Sequence, residues 1–236
     1  MSQALNTNQL PTWCPGCGAF VVGAAIKNAI TNKKLQPKNV VICYDIGCSG
    51  NMANLIDVCG FATLHGRSIP VACGVKKARP ELTVIAQAGD GGLLNEGLNH
   101  FVHAARRNDR ITLILNNNQI FGLTAGQQSS ATPQNAISRA TGRINETAPL
   151  SAVDLAVASG AKFIARVPET DLKLMQEIIQ QAIVFEGFAL VEIIQPCKIW
   201  ARDFKKTEFR KITKPFKRKT DLIGQNNLIG LLYWEK

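Results

Sequence analysis

The sequence predicts an α/β protein with a mainly parallel sheet flanked by helices, and three observations carry that reading. Short apolar, β-branched runs recur at residues 40–43, 82–86, 111–115, 162–167 and 189–194, each the length of a strand buried on both faces. Helical spacing appears between them: Leu98, Phe101, Val102 and Ala105 form one stripe, and Leu172, Met175, Ile178, Ile179, Ala182 and Ile183 another. Polar, glycine-rich segments follow the first three runs. Such alternation builds βαβ units, with ligands held at the carboxyl ends of the strands.

Along the chain, residues 1–13 (MSQALNTNQLPTW) show no basic segment leading into an apolar core, so no secretory signal is expected and the cytoplasm is the expected location. No apolar run approaches the ~20 residues that cross a bilayer; the stretch at 19–26 ends at Lys27. The first strand run leads into DIGCSGN (45–51), the second into AGDGGLLNEG (88–97), and the third begins NNNQIFGLTAGQ (116–127) where it ends. Three such loops predict one shared site. Residues 127–150, rich in Ser, Thr, Asn and Pro, are expected as a loop over it. Residues 198–219 hold ten Lys/Arg against two Asp/Glu, so +8 of the chain's net charge of +10 is local and only +2 belongs to the rest. The expected division is therefore a body at 1–200 and a basic C-terminal tail at 201–236. The closing apolar stretch has no predicted place. At 236 residues, 46% hydrophobic and 19% charged, the chain is a globular protein rather than a disordered or collagenous one.

Gly89-Asp90-Gly91-Gly92 lies between the second strand run and a helix expected to begin near Asn95 or Glu96. Glycines let backbone N–H groups approach a phosphate, and a helix N-terminus favours its charge. Asp90 offers Mg²⁺ a hard carboxylate oxygen, with further oxygens expected from the next strand's loop. Asn118, 28 residues on, supplies an amide oxygen there and Ile120 a carbonyl. A GDG alone occurs in many turns, but GDG followed at this distance by an Asn-rich strand end is far more specific. From about residue 18 to 132 the sequence resembles the thiamine-diphosphate superfamily. Asn116 and Asn117 read simply as polar residues ending a strand.

Seven cysteines in a reducing compartment point to metal or cluster ligands plus core thiols. Cys14-Pro15-Gly16-Cys17 has the spacing of a dithiol redox pair, but that motif follows a buried strand, and residues 8–12 (NQLPT) are no strand. As a ligand pair it needs two more thiolates. Cys48, after the first strand, and Cys197, just past the last, can reach the same sheet edge. Cys43, Cys59 and Cys73 sit in apolar stretches and are expected in the core. Spacing alone leaves Zn²⁺ and a [4Fe–4S] cluster equally open.

In order, WCPGCG, DIGCSG, LHGR, GDGG, NHFVHAARRN, NNNQIFGLTAGQ and QPC closely resemble the beta subunit of the 2-oxoacid:ferredoxin oxidoreductases over residues 10–200. The resemblance implies the thiamine-diphosphate-binding fold. It implies that Cys14, Cys17, Cys48 and Cys197 ligate a [4Fe–4S] cluster and that Asp90, Asn118 and the Ile120 carbonyl hold Mg²⁺. Ile46, Gly47, Cys48, Ser49, His65, Gly91, Gly92, Gly122, Leu123 and Thr124 would wall the thiamine diphosphate. His65 is expected to reach the diphosphate; Arg67 to bind anion or a carboxylate; His100 and His103 to be structural. The implied reaction decarboxylates a small 2-oxoacid oxidatively, delivering the acyl group to coenzyme A and single electrons through the cluster to ferredoxin. The carboxylate that activates the aminopyrimidine is expected on a partner alpha subunit, Glu96 not being assigned that role, so a heterodimer or α2β2 assembly is implied. A non-redox thiamine-diphosphate lyase or decarboxylase has no use for the four cysteines. A nucleic-acid module built on the basic tail has aromatic residues for stacking but no recognised binding fold.

Overall fold

Strands carrying Val, Ile and Leu on both sides must be covered on both faces, and the chain meets that demand with five helices. The computed structural model describes residues 5–204 and 207–235, so Lys205 and Lys206 of the basic run lie outside the described residues. In order come α1 (Ala19–Asn32), β1 (Val40–Tyr44), β2 (Cys59–Ala62), α2 (Ser68–Ala78), β3 (Thr83–Gly89), α3 (Leu98–Arg107) and β4 (Thr112–Asn117). A small hairpin follows, β5 (Ile120–Phe121) and β6 (Gln127–Gln128), then α4 (Ala152–Ala158), β7 (Phe163–Pro168), α5 (Leu172–Ala182) and β8 (Ala189–Ile194). The chain closes with β9 (Arg210–Lys211) and β10 (Leu228–Trp234). The main sheet runs β2-β1-β3-β4-β8-β7-β10-β9, and all its pairings are parallel except that of β10 with β7.

Alternation along each strand divides the core. Val41 and Cys43 of β1 join the cluster with α2, α3 and α4, while Val40, Ile42 and Tyr44 join the cluster with α1 and α5. All five predicted runs contain strands; of the predicted stripes, Phe101 and Ala105 are buried on α3 with Leu98 and Val102 half-buried, and Met175, Ile178, Ile179 and Ala182 are buried on α5, whereas Leu172 at its first turn is exposed and Ile183 lies just past its end.

Three expectations need correction or completion. The helix after GDGG starts earlier, as a π-helical turn at Gly91–Glu96, before α3 begins at Leu98. Cys43 and Cys73 are core thiols, but Cys59 is exposed, because β2 is an edge strand with no neighbour beyond it. The apolar finish is β10, which lies against β7 and buries Leu228, Leu232 and Tyr233. The segment before it is pinned to the same core by Leu222 and Phe216. Among the described residues, no helix is long and apolar enough to cross a membrane.

Candidate cofactor site

Strands β1, β3, β4 and β8 are consecutive and parallel in the sheet, so their carboxyl ends open onto one edge. Ile46, Gly47, Cys48, Ser49, His65, Gly91, Gly92, Gly122, Leu123 and Thr124, the ten residues expected around the cofactor, line a single cavity there. Asp90, Asn118 and Ile120 line it too, together with Asn116, Phe121 and Gln195.

Asp90 directly follows β3, caps the π-helical turn and is 1% exposed. The Asn118 backbone N–H donates to its Oδ1 at 3.0 Å, and the Ser129 hydroxyl donates to its Oδ2. Burial pushes its carboxyl up to about 6, against the pull of these hydrogen bonds. Ser129 belongs to the polar connection that sequence reasoning placed over the site without naming a contact. That connection is also held by Thr132, whose hydroxyl donates to the Gln119 carbonyl at 2.6 Å. A side-chain carbon on Gly91 would overlap the Phe121 ring, and one on Gly92 the Asp45 carboxylate. Packing alone therefore requires both glycines.

Asp45, which sequence reasoning passed over, joins two walls of the cavity. Its Oδ1 accepts from the backbone N–H groups of Ile46 (2.7 Å) and Gly66 (2.8 Å), tying the DIGC loop to LHGR. A carboxylate directly after a buried strand and before the first glycine-rich loop was the available signal. His65 places Nδ1 3.0 Å from Glu96 Oε2. Arg67 donates to the carbonyls of Glu96 (2.9 Å) and Gly66 (3.2 Å), so it braces the loop through main-chain oxygens. Burial and the neighbouring Arg67 lower the His100 pKa. Asn116 and Asn117 do more than end a strand. Asn117 donates to Glu192 at 2.8 Å and accepts from the Gln119 N–H at 3.2 Å, which shapes the loop of Asn118 and Ile120.

The four cysteines converge beside this cavity. Pro15 and Gly16 fill the central positions of a tight turn, with Gly16 at φ +75° and the Cys17 N–H bonded to the Cys14 carbonyl at 3.0 Å, which is why Pro precedes Gly here. The pair opens α1 but follows no strand. Trp13 Nε1 donates to the Cys48 carbonyl at 2.7 Å, joining the first ligand loop to the second. Lys198 pairs with Glu169, whose carboxylate packs on Gly18, joining the last loop to the first. Cys48 and Cys197 each bring Sγ within 3.6 Å of the point where a Cβ on Gly122 would stand, and Asn118 Nδ2 lies 3.5 Å from it. Desolvation, reinforced by the neighbouring thiols, raises the Cys17 thiol and pushes Cys48 up to about 11, so protons must leave when a metal binds. Among the described residues, no three His, Cys, Asp or Glu side chains are set to hold one ion.

A carboxylate, an amide and a backbone carbonyl around a glycine-lined cradle at the carboxyl edge of a parallel sheet define a thiamine-diphosphate-binding domain. The family model of the thiamine pyrophosphate enzyme C-terminal TPP binding domain matches residues 45–193. The chain belongs to the beta subunits of the 2-oxoacid:ferredoxin oxidoreductases. It is 35% identical over 247 aligned positions to subunit beta of 2-oxoacid:ferredoxin oxidoreductase 2 of Aeropyrum pernix, covering 95% of this chain and 80% of that one. It is 41% identical over 187 positions to 2-oxoacid:ferredoxin oxidoreductase subunit beta of Saccharolobus solfataricus, covering 78% of this chain and 61% of the relative. The chain thus spans about three fifths of the length of several curated relatives it matches. Among solved structures, the 2-oxoglutarate:ferredoxin oxidoreductase of Magnetococcus marinus, with 2-oxoglutarate, coenzyme A and succinyl-CoA bound, matches with a TM-score of 0.93 at 29% identity, over 98% of this chain and 84% of that one.

Proposed function

We propose that this chain is the cofactor-holding half of an enzyme that oxidatively decarboxylates a 2-oxoacid, passes the acyl group to coenzyme A and sends electrons singly to ferredoxin. One observation carries the reading: Gly122 lies both on the wall of the cofactor cavity and against the thiols of Cys48 and Cys197. Two redox groups held there would be neighbours. Bound thiamine diphosphate supplies the carbanion that adds to the keto carbon and the electron sink for loss of CO₂, and a cluster takes electrons one at a time. Asp90, Asn118 and the Ile120 carbonyl give Mg²⁺ the hard oxygens it takes from protein. Gly91 and Gly92 would leave the diphosphate its room, and His65, on the cavity wall with Nδ1 paired to Glu96, would approach it from the LHGR loop.

Cys14, Cys17, Cys48 and Cys197 would hold the [4Fe–4S] cluster, each thiolate on its own iron. A single zinc asks instead for four sulfurs about 2.3 Å from one point. That contrast, with the position beside the cavity, favours the cluster and the redox reaction over a non-redox lyase or decarboxylase.

The aminopyrimidine carboxylate is assigned to the alpha subunit, as a heterodimer or α2β2. Ile46 and Leu123 line the cavity while 45% and 55% exposed, and Leu64 nearby is 79% exposed, an apolar rim suited to a partner surface. Reduced thiols for cluster ligation fit a cytoplasmic setting. The test is to co-purify this chain with its partner subunit and follow ferredoxin reduction with pyruvate, 2-oxoglutarate and a branched 2-oxoacid. Reduction dependent on both coenzyme A and one of these acids is expected. Decarboxylation with no electron transfer to any acceptor would restore the lyase reading.

A further inference from the structure

We propose that Gln195 sets the reduction potential of the cluster by donating a hydrogen bond from its amide to the sulfur of Cys17; the proposal rests on the cluster reading above. Gln195 stands directly after β8 and is 4% exposed. Its backbone N–H donates to the Asn117 carbonyl at 2.9 Å, which fixes where its side chain starts. Nε2 lies 3.6 Å from Cys17 Sγ, within hydrogen-bonding reach of sulfur.

The amide has little freedom to turn away. Its Oε1 accepts from Asn116 Nδ2 at 2.7 Å, and Asn116 Oδ1 in turn accepts from Gln87 Nε2 at 3.2 Å. An oxygen held by a donor leaves the NH₂ end to face the sulfur. The methylene Cγ lies 2.7 Å from the position a Cβ on Gly18 would take, so the side chain rests against the residue next to Cys17. Asn116 and Gln195 both line the cofactor cavity, so one hydrogen-bonded row runs from the cavity to a cluster ligand.

An N–H donated to a ligating sulfur stabilises negative charge there, and the reduced cluster carries one charge more than the oxidised form. Donation therefore favours reduction and raises the potential. The net strength of one such hydrogen bond corresponds to about a 2- to 13-fold change in an equilibrium.

The test uses the complex of this chain with its partner subunit, prepared without oxygen, and an EPR-monitored redox titration of the cluster. Gln195→Met keeps the volume and removes the donor. With iron content unchanged, its reduced-to-oxidised ratio at a fixed potential should fall about 2- to 13-fold, a tenfold fall being 59 mV for one electron. Asn116→Leu, which frees the amide, should shift the ratio the same way by less. An unchanged ratio in Gln195→Met with the cluster intact overturns the proposal. If that variant loses its cluster, Asn116→Leu decides, and an unchanged ratio there overturns it equally. Wild-type complex without iron would sink the cluster reading itself, and the proposal with it, before any variant is compared.

Discussion

At Asp90 two demands meet in one carboxyl: it is buried and 3.0 Å from a backbone donor, yet it is the residue offered to a metal. Its pKa of about 6 lies above the usual 3.8, so the folded chain holds the proton more tightly than the unfolded chain does. Asp90 therefore adds stability to the metal-free protein as pH falls from about 6 toward 4 and withdraws it above that window. Magnesium must displace the same proton, so magnesium-dependent affinity for thiamine diphosphate should drop as pH falls through about 6, measured by calorimetry on the complex. Asp90→Ala should abolish cofactor binding and Asn118→Ala should weaken it less. Ser129→Ala, which takes a donor from the ligand, should cost about 10–100-fold in metal affinity; unchanged affinity in Asp90→Ala would refute the assignment. Among the thiols, Cys48→Ser should lose iron whereas Cys73→Ser, a buried thiol donating to Asp109 at 3.2 Å, should retain it. The candidate ligands were legible in sequence because each lies at a strand end or in a glycine turn. Ser129 was not, since it acts by a hydrogen bond to a carboxylate 39 residues away in the chain; Asp45 stands at a strand end as the ligands do, but its bond to Gly66, 21 residues on, shows only in the fold.

The elements were legible where burial forces a period. Fully buried β1, β3, β4, β7 and β8 read as apolar runs, and α3 and α5 as stripes. α1 has no polar face of that kind because it packs against α5 in the core cluster that covers the same sheet face. α2 (SIPVACGVKKA) mixes Pro, Gly and β-branched residues, which helix propensity disfavours, and is held by its packing on β3. β2 is an edge strand whose residues are all exposed, so it carries no burial signal. β10 was hidden by the basic run before it and by its antiparallel pairing, made after a long excursion. Inside the sheet, Arg166 of β7 and Glu192 of β8 form an ion pair at 2.6 Å with side chains 4% and 2% exposed. Glu192 also holds Asn117, and through it the loop of Asn118 and Ile120. Removing one partner of a buried pair costs about 3–5 kcal/mol, because the other charge is left alone. Arg166→Met should therefore lower the unfolding free energy by that amount, read in urea as a lower midpoint at unchanged slope; a loss below about 1 kcal/mol would show the pair to be dispensable.

Across the whole molecule, the basic run is not one patch. Lys198 and Arg202 flank Cys197 on the cavity edge of the sheet, lining a groove with Phe204 and Phe209. Lys219, by contrast, lies near Gly160 and Glu235, at the amino end of β7. Among the described residues, Lys198 and Arg202 share the groove of Cys197, beside the proposed electron exit, and Lys211 pairs with Asp171 at the carboxyl end of β7; Lys205 and Lys206 lie outside the described residues. Under the proposed function, Lys198 and Arg202 would be the charges that steer an acidic ferredoxin. Arg202→Gln should slow ferredoxin reduction a few-fold at low salt and leave a neutral small acceptor unaffected, with the difference fading as salt rises. Lys217→Gln with Lys219→Gln should change neither rate; equal loss with both acceptors would point to assembly instead. The central claim is that four cysteines from three separate segments enclose a [4Fe–4S] cluster beside the thiamine-diphosphate cavity. Its most direct measurement is iron, acid-labile sulfide and zinc per chain in protein purified without oxygen. About four iron and four sulfide are expected, lost in Cys48→Ser; stoichiometric zinc without iron would overturn the cluster.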